Sequence, residues 1–81
     1  MKRSRHEIIA QILRVCYDGA SKTRLVYQAN LNFKTIDPYI ELLVKNGMME
    51  IKEGKNNVYK TTDKGKELLE NFDEIQSTLE Y

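Results

Sequence analysis

The residues of this chain that can do chemistry are cations, amides and hydroxyls, and they arrive in four groups. Lys2, Arg3 and Arg5 stand at the start and Lys22 and Arg24 follow. Lys34, Thr35 and Tyr39 come next, then Lys55, Asn56 and Asn57. Ammonium and guanidinium groups neutralise phosphates, while amides and hydroxyls donate to phosphate oxygens or pair with base edges. That is recognition chemistry. Turnover has no comparable support. One His and one Cys are too few for a zinc site. No nucleophile–base pair stands out, and Thr62-Asp63-Lys64-Gly65 reads as a helix start, not a phosphate-cradling loop. The chain is therefore read as a non-enzyme with no cofactor and no metal.

The charge is distributed unevenly. Residues 1–62 hold eleven Lys/Arg against six Asp/Glu, a balance of +5, and residues 63–81 hold two against six, a balance of −4. A basic body with an acidic tail suits a domain that turns one face to a polyanion. The 81 residues make one small unit whose core gains from a second copy. No apolar run is long enough to span a bilayer, and no signal-peptide stretch follows the basic start. With a lone Cys16 and no intramolecular disulfide, the expected location is the cytoplasm.

These groups need elements to hold them. Ser4 and Glu7 fit a capping box, so a first helix is expected over residues 5–17, with Ile9, Ile12, Leu13 and Cys16 on its buried stripe. Cys16 is thereby read as an inert core thiol, and His6 as a first-turn residue exposed to solvent or near a phosphate. Gly19 stops the helix, and Ser21 caps a second over residues 22–29. Asn30 suits a left-handed turn and Asn32 caps a third helix over residues 33–46. Leu25, Val26, Leu31, Ile36, Ile40 and Leu43 let these two crossed helices share one core, which is a helix-turn-helix pattern.

Pro38 falls within the third helix. One option is a continuous, kinked helix from Phe33; the other is a turn over residues 33–36 with Asp37 capping a start at Pro38. The unbroken Ile36, Ile40, Leu43 stripe favours the first. Either way Lys34, Thr35, Asp37, Pro38 and Glu41 face outward, whereas Tyr39 is expected half in the core. Gly47 ends the helix, and alternation around the turn cluster 54–57 predicts a β-hairpin over residues 49–62. A hairpin there is the wing of a winged helix, and its tip carries Lys55, Asn56 and Asn57.

Thr62 and Asp63 open a last helix in which Leu68, Phe72, Ile75 and Leu79 repeat at 4, 3 and 4. That seam is read as a homodimer interface, with a terminal helix folded on its own domain as the other reading. The expected fold class is α+β, mainly α: three helices, a two-stranded wing and a C-terminal helix. Residues 1–62 form the binding domain and residues 63–81 the association helix.

The wording of three segments is more specific than this order. Residues 21–33 (SKTRLVYQANLNF), 39–47 (YIELLVKNG) and 62–69 (TDKGKELL) closely resemble the small archaeal winged helix-turn-helix DNA-binding proteins, the chromatin-type and predicted transcription-regulator family. The resemblance spans nearly the whole chain. It implies duplex DNA as partner, nucleoid association, and in members with a long C-terminal helix an antiparallel coiled-coil dimer; some members bind DNA with little sequence preference. The basic arm Lys2, Arg3 and Arg5 is then a candidate for DNA backbone or minor groove, or else a solvated terminus. Lys22 and Arg24 are candidates for phosphates. Lys34, Thr35 and Tyr39 would serve the recognition helix, and Lys55, Asn56 and Asn57 the wing. The competing reading is a protein–protein module, supported by the acidic Asp37 and Glu41 on the recognition face.

Overall fold

A computed structural model describes the backbone of residues 3–79 and the side chains of residues 3–75. In it every helix begins where a short polar side chain turns back onto the backbone. Helix α1 is Arg5–Val15, α2 Lys22–Ala29, α3 Phe33–Lys45 and α4 Asp63–Leu79, with strands β1 Met49–Lys52 and β2 Val58–Thr61 between α3 and α4. The Ser4 hydroxyl accepts from the Glu7 N–H while the Glu7 carboxylate accepts from the Ser4 N–H. Ser21 Oγ accepts from the Arg24 N–H, Asn32 Oδ1 from the Thr35 N–H, and Thr62 Oγ1 from the Gly65 N–H. Each such cap stabilises its helix by about 1 kcal/mol.

The turns follow the same logic. Asn30 takes up φ 55°, ψ 49°, so α2 closes into a left-handed residue and α3 begins three residues later at Phe33. Gly47, at φ 74°, does the same after α3. Helix α1 is shorter than the expected 5–17. The Cys16 N–H bonds the Ile12 carbonyl, but that of Tyr17 reaches only three residues back to Arg14, and Gly19 closes on Cys16. That tightened turn ends the helix at Val15. Helix α3 stops one residue before the expected 46, because the Asn46 side-chain amide folds back to donate to the Leu42 carbonyl. Pro38 lies inside a continuous α3. The hydrogen bond it removes belongs to the Lys34 carbonyl, and both residues lie on the exposed side of the helix, where the loss costs less than it would in the core.

Strands β1 and β2 pair antiparallel with Met49 opposite Thr61 and Lys52 opposite Val58. Ala20 adds an isolated bridge to Tyr59, each N–H bonding the other's carbonyl at 2.8–2.9 Å. The wing is thus fastened to the segment that leads into α2. Thr61 fastens it to α1: its buried hydroxyl donates to the Leu13 carbonyl and its N–H to that of Cys16, both at 2.9 Å. The core contains Ile12, Leu13 and Cys16 from α1, Leu25 and Ala29 from α2, and Ile36, Ile40 and Leu43 from α3. Met49, Tyr59 and Leu69 close it. Each large apolar side chain in it contributes roughly 1.5–3 kcal/mol.

The start of α4 clamps the end of α3. Thr62 donates through its hydroxyl to the Gly47 carbonyl and through its N–H to that of Met48, while the Lys64 ammonium donates to the Asn46 carbonyl. Farther along, Asp73 pairs with Arg14 of α1. Among the described residues no helix is long and apolar enough to cross a membrane.

Candidate nucleic-acid interface

The exposed face of α3 is a stripe of Lys34, Asp37, Pro38 and Glu41, spaced i, i+3, i+4, i+7, opposite the buried Ile36, Ile40 and Leu43. The stripe borders a cleft whose other wall is Ile51 and Tyr59 of the wing. On the far flank of α3, Thr35 and Tyr39 share a shallow groove with Arg5, the first residue of α1. Tyr39 is half-buried there and packs against the core. Beyond the wing, Lys55, Asn56 and Asn57 meet Ser21, Lys22 and Thr23 in a polar groove at the N-terminal end of α2. Residues about thirty positions apart in sequence thus meet in space, and the grooves adjoin: Pro38 lines those on both flanks of α3, and Tyr59 lines both the cleft and the wing-tip groove.

Two of the sequence's candidate cations are engaged within the molecule. The Arg3 guanidinium donates to Gln11 Oε1 and to the Ala29 and Asn30 carbonyls, the latter two at 2.6 and 3.1 Å. It holds the last carbonyls of α2 at the turn, where a cation also complements the helix dipole. Lys22 pairs with Asp37 of α3 and sits 5.8 Å from the Phe33 ring centroid. The hydrogen bond that Lys22 donates to the Asp37 carboxylate raises the Lys22 pKa above its ordinary value. Arg24 is exposed on α2 and lines neither groove. Lys2 lies outside the described residues.

Two exposed aromatic groups on α2 and α3 are not among the sequence's candidates. Phe33 is half exposed at the first position of α3, and Tyr27 is 81% exposed on α2. The signal for Tyr27 was present: Leu25 and Ala29 mark the core side of α2, and the residue midway between them must point outward.

Cys16 is fully buried. Desolvation pushes its thiol pKa up from 9.0 to about 12, outweighing the opposing charge of Arg24. It has the character of an inert packing group. Among the described residues no cluster of His, Cys, Asp and Glu has the makings of a metal site. His6 is exposed and lies at the rim of a small apolar groove between α1 and α4, with Ile9, Leu68 and Phe72. Along α4, Leu69 is buried and Phe72 packs against the core, while Leu68 and Ile75 stay on the surface at 38% and 58% exposure. The side chain of Leu79 lies outside the described residues.

The family model described as winged helix-turn-helix matches residues 2–80 of the chain. The chain belongs to that family. The expected fold class holds: four helices and a two-stranded antiparallel hairpin make this a mainly helical winged helix. The expected likeness to small archaeal members also holds. An uncharacterized Methanocaldococcus jannaschii protein, MJ0287, is 37% identical over 75 residues, which are 91% of this chain and 74% of that protein. A second from the same organism, MJ0290, is 37% identical over 76 residues, 93% of this chain but 35% of its own length. Among solved structures, Sso10a-2, a DNA-binding protein from Sulfolobus solfataricus, superposes with a TM-score of 0.81 at 37% identity, covering 95% of this chain and 85% of that one. Bordetella bronchiseptica BpsR superposes at 0.76 with 17% identity, over 95% of this winged helix and 57% of its own chain. At that identity the likeness concerns the fold alone.

Proposed function

We propose that this winged helix binds duplex DNA, as a transcription regulator or an architectural protein of the nucleoid. The observation that carries the reading is the 37% identity and 0.81 TM-score to a DNA-binding protein over 95% of the chain. The surface is consistent with it. Lys34 and Thr35 would enter the major groove on α3, flanked by Arg5 and Tyr39. Lys55, Asn56 and Asn57 would hold phosphates or a minor groove at the wing, and Arg24 would add a backbone contact. Arg3 and Lys22, already engaged, would act by positioning α2 against α3. In this reading residues 1–62 are the binding body and residues 63–81 associate two copies into a homodimer. Leu68 and Ile75, exposed one heptad apart on α4, would form the seam, with Leu79 continuing it.

The test is fluorescence anisotropy on a random-sequence duplex at several salt concentrations, with molar mass measured by light scattering on the same samples. Micromolar or tighter binding with a steep negative log–log salt slope is expected, because each neutralised phosphate releases counterions. A second reading, a protein–protein module, draws on the exposed Leu42, Val44 and Ile51 at the cleft beside Glu41. It predicts a partner interface that barely weakens with salt and no duplex binding at low salt. A monomer at all concentrations would sink the dimer.

A further inference from the structure

The outer stripe of α3 is poorly suited to gripping a phosphate backbone. Of its four residues one is basic and two are acidic, and the two acids are not equivalent. Asp37 is neutralised by Lys22 across the α2–α3 junction. Glu41 is exposed and, among the described residues, has no hydrogen bond or ion pair, even though Lys45 stands one turn on beside the same cleft. An unpaired carboxylate facing DNA costs affinity through phosphate repulsion. That cost is offset only where the groove supplies a donor.

From this we infer that Glu41 is a specificity-determining residue that accepts a hydrogen bond from the exocyclic amine of a cytosine in the major groove. The inference rests on the DNA-binding reading above. Cytosine offers its N4 amine with no acceptor beside it, whereas adenine places N7 next to its amine and repels a carboxylate. Lys34, on the same stripe, donates to O6 and N7 of a guanine. Seven residues separate the two side chains, about 10 Å along the helix, or about three base-pair steps of duplex. Pro38 and Ile51 line the open space beside Glu41, and a duplex seated there would exclude water and strengthen the hydrogen bond. The protein thus reads a short G·C-containing site instead of binding all duplexes alike.

The experiment selects bound duplexes from a library with a randomised core, using the full chain and its Glu41→Gln and Glu41→Ala variants, and sequences the bound fraction. The wild type should enrich cytosine about tenfold at one position. Glu41→Gln should move that preference to adenine, which a carboxamide pairs with at N6 and N7. Glu41→Ala should lose the preference and at the same time bind unselected duplex more tightly than the wild type. Opposite signs on selected and unselected DNA separate base reading from mere repulsion. The inference is overturned if the wild type enriches no base while its salt-steep binding persists. It is equally overturned if Glu41→Ala binds every duplex more tightly with the preference intact. Absence of binding to any duplex removes the DNA-binding reading itself, and this inference with it.

Discussion

Two corners of this winged helix use the same residue types to opposite ends. At the rear, where α3, β1 and the start of α4 meet, backbone and side-chain polar groups are closed on one another. Thr62 bonds Gly47 and Met48, and Lys64 bonds Asn46. At the front, Lys34 and Glu41 stand exposed beside an open cleft, and the exposed wing tip borders a separate polar groove. A lysine at the rear is a structural strut; a lysine at the front is a free charge. The rear fixes the direction in which α3 leaves the body, so that the front presents one surface and not an ensemble.

The sharpest way to break this contrast is through two glycines. A Cβ on Gly65 would lie 2.2 Å from the Met48 carbonyl oxygen and 2.7 Å from Thr61 Cγ2, whereas one on Gly54 at the wing tip would meet nothing nearer than 4.0 Å. Gly65→Ala must push backbone against backbone. It should cost about 3 kcal/mol, roughly 15 °C in Tm by thermal unfolding. Gly54→Ala should stay within about 0.5 kcal/mol. Equal melting of the two variants would mean the rear corner yields.

Within the front, across the α2–α3 junction, Asp37 holds Lys22. Asp37→Asn releases the lysine and removes a negative charge from the α3 face. Duplex affinity at low salt should rise by about 1 kcal/mol, a factor of roughly five, with the gain shrinking as salt is added. An unchanged or weaker Kd would show that the ion pair is needed to present α3.

Arg3 and Lys55 sharpen the comparison further. Arg3→Ala deletes bonds to the Ala29 and Asn30 carbonyls, so stability should fall by about 1 kcal/mol while the slope of log affinity against log salt stays as it was. Lys55→Ala should leave stability alone and reduce that slope by about one. If Arg3→Ala lowers the slope instead, its guanidinium leaves the helix end for a phosphate.

These paired cases also mark what was legible in the sequence. Caps, turns and periodicity are local: Ser4, Ser21, Asn30, Asn32 and Thr62 announce helix ends because their partners lie within three residues. The hairpin and the apolar stripes are legible for the same reason. Which cations are free is not local. Arg3 meets carbonyls 26 and 27 residues away and Lys22 meets Asp37, and no pattern of spacing encodes those meetings. Gly65 is similar. Its tight approach to Met48 arises from the path of the hairpin, so its sequence neighbours show only a helix start. The wing groove joining Lys55 to Lys22 likewise needs the Ala20–Tyr59 bridge, a single pair of hydrogen bonds across 39 residues.

The smallest effect tests the most buried ionisable group. The Cys16 thiol, fully buried behind α1, titrates near 9.0 when exposed and near 12 in the fold. Its neutral form therefore contributes stability that is complete below pH 9. Above that, the unfolded chain sheds this proton first, so stability falls with rising pH until the folded thiol also ionises. The slope from Cys16 should be about 1 kcal/mol per pH unit over that alkaline window and zero at neutral pH. Lys22, whose pKa is also raised, loses its ion pair at still higher pH and would add to the slope there. Denaturant unfolding at pH 8, 9 and 10 in the wild type and in Cys16→Ala separates the two: the variant loses some packing at every pH, but its stability should decline less steeply between 9 and 10. Parallel declines would mean that water reaches the thiol and that the core opens beneath the α1–β2 junction more readily than the Thr61 bonds imply.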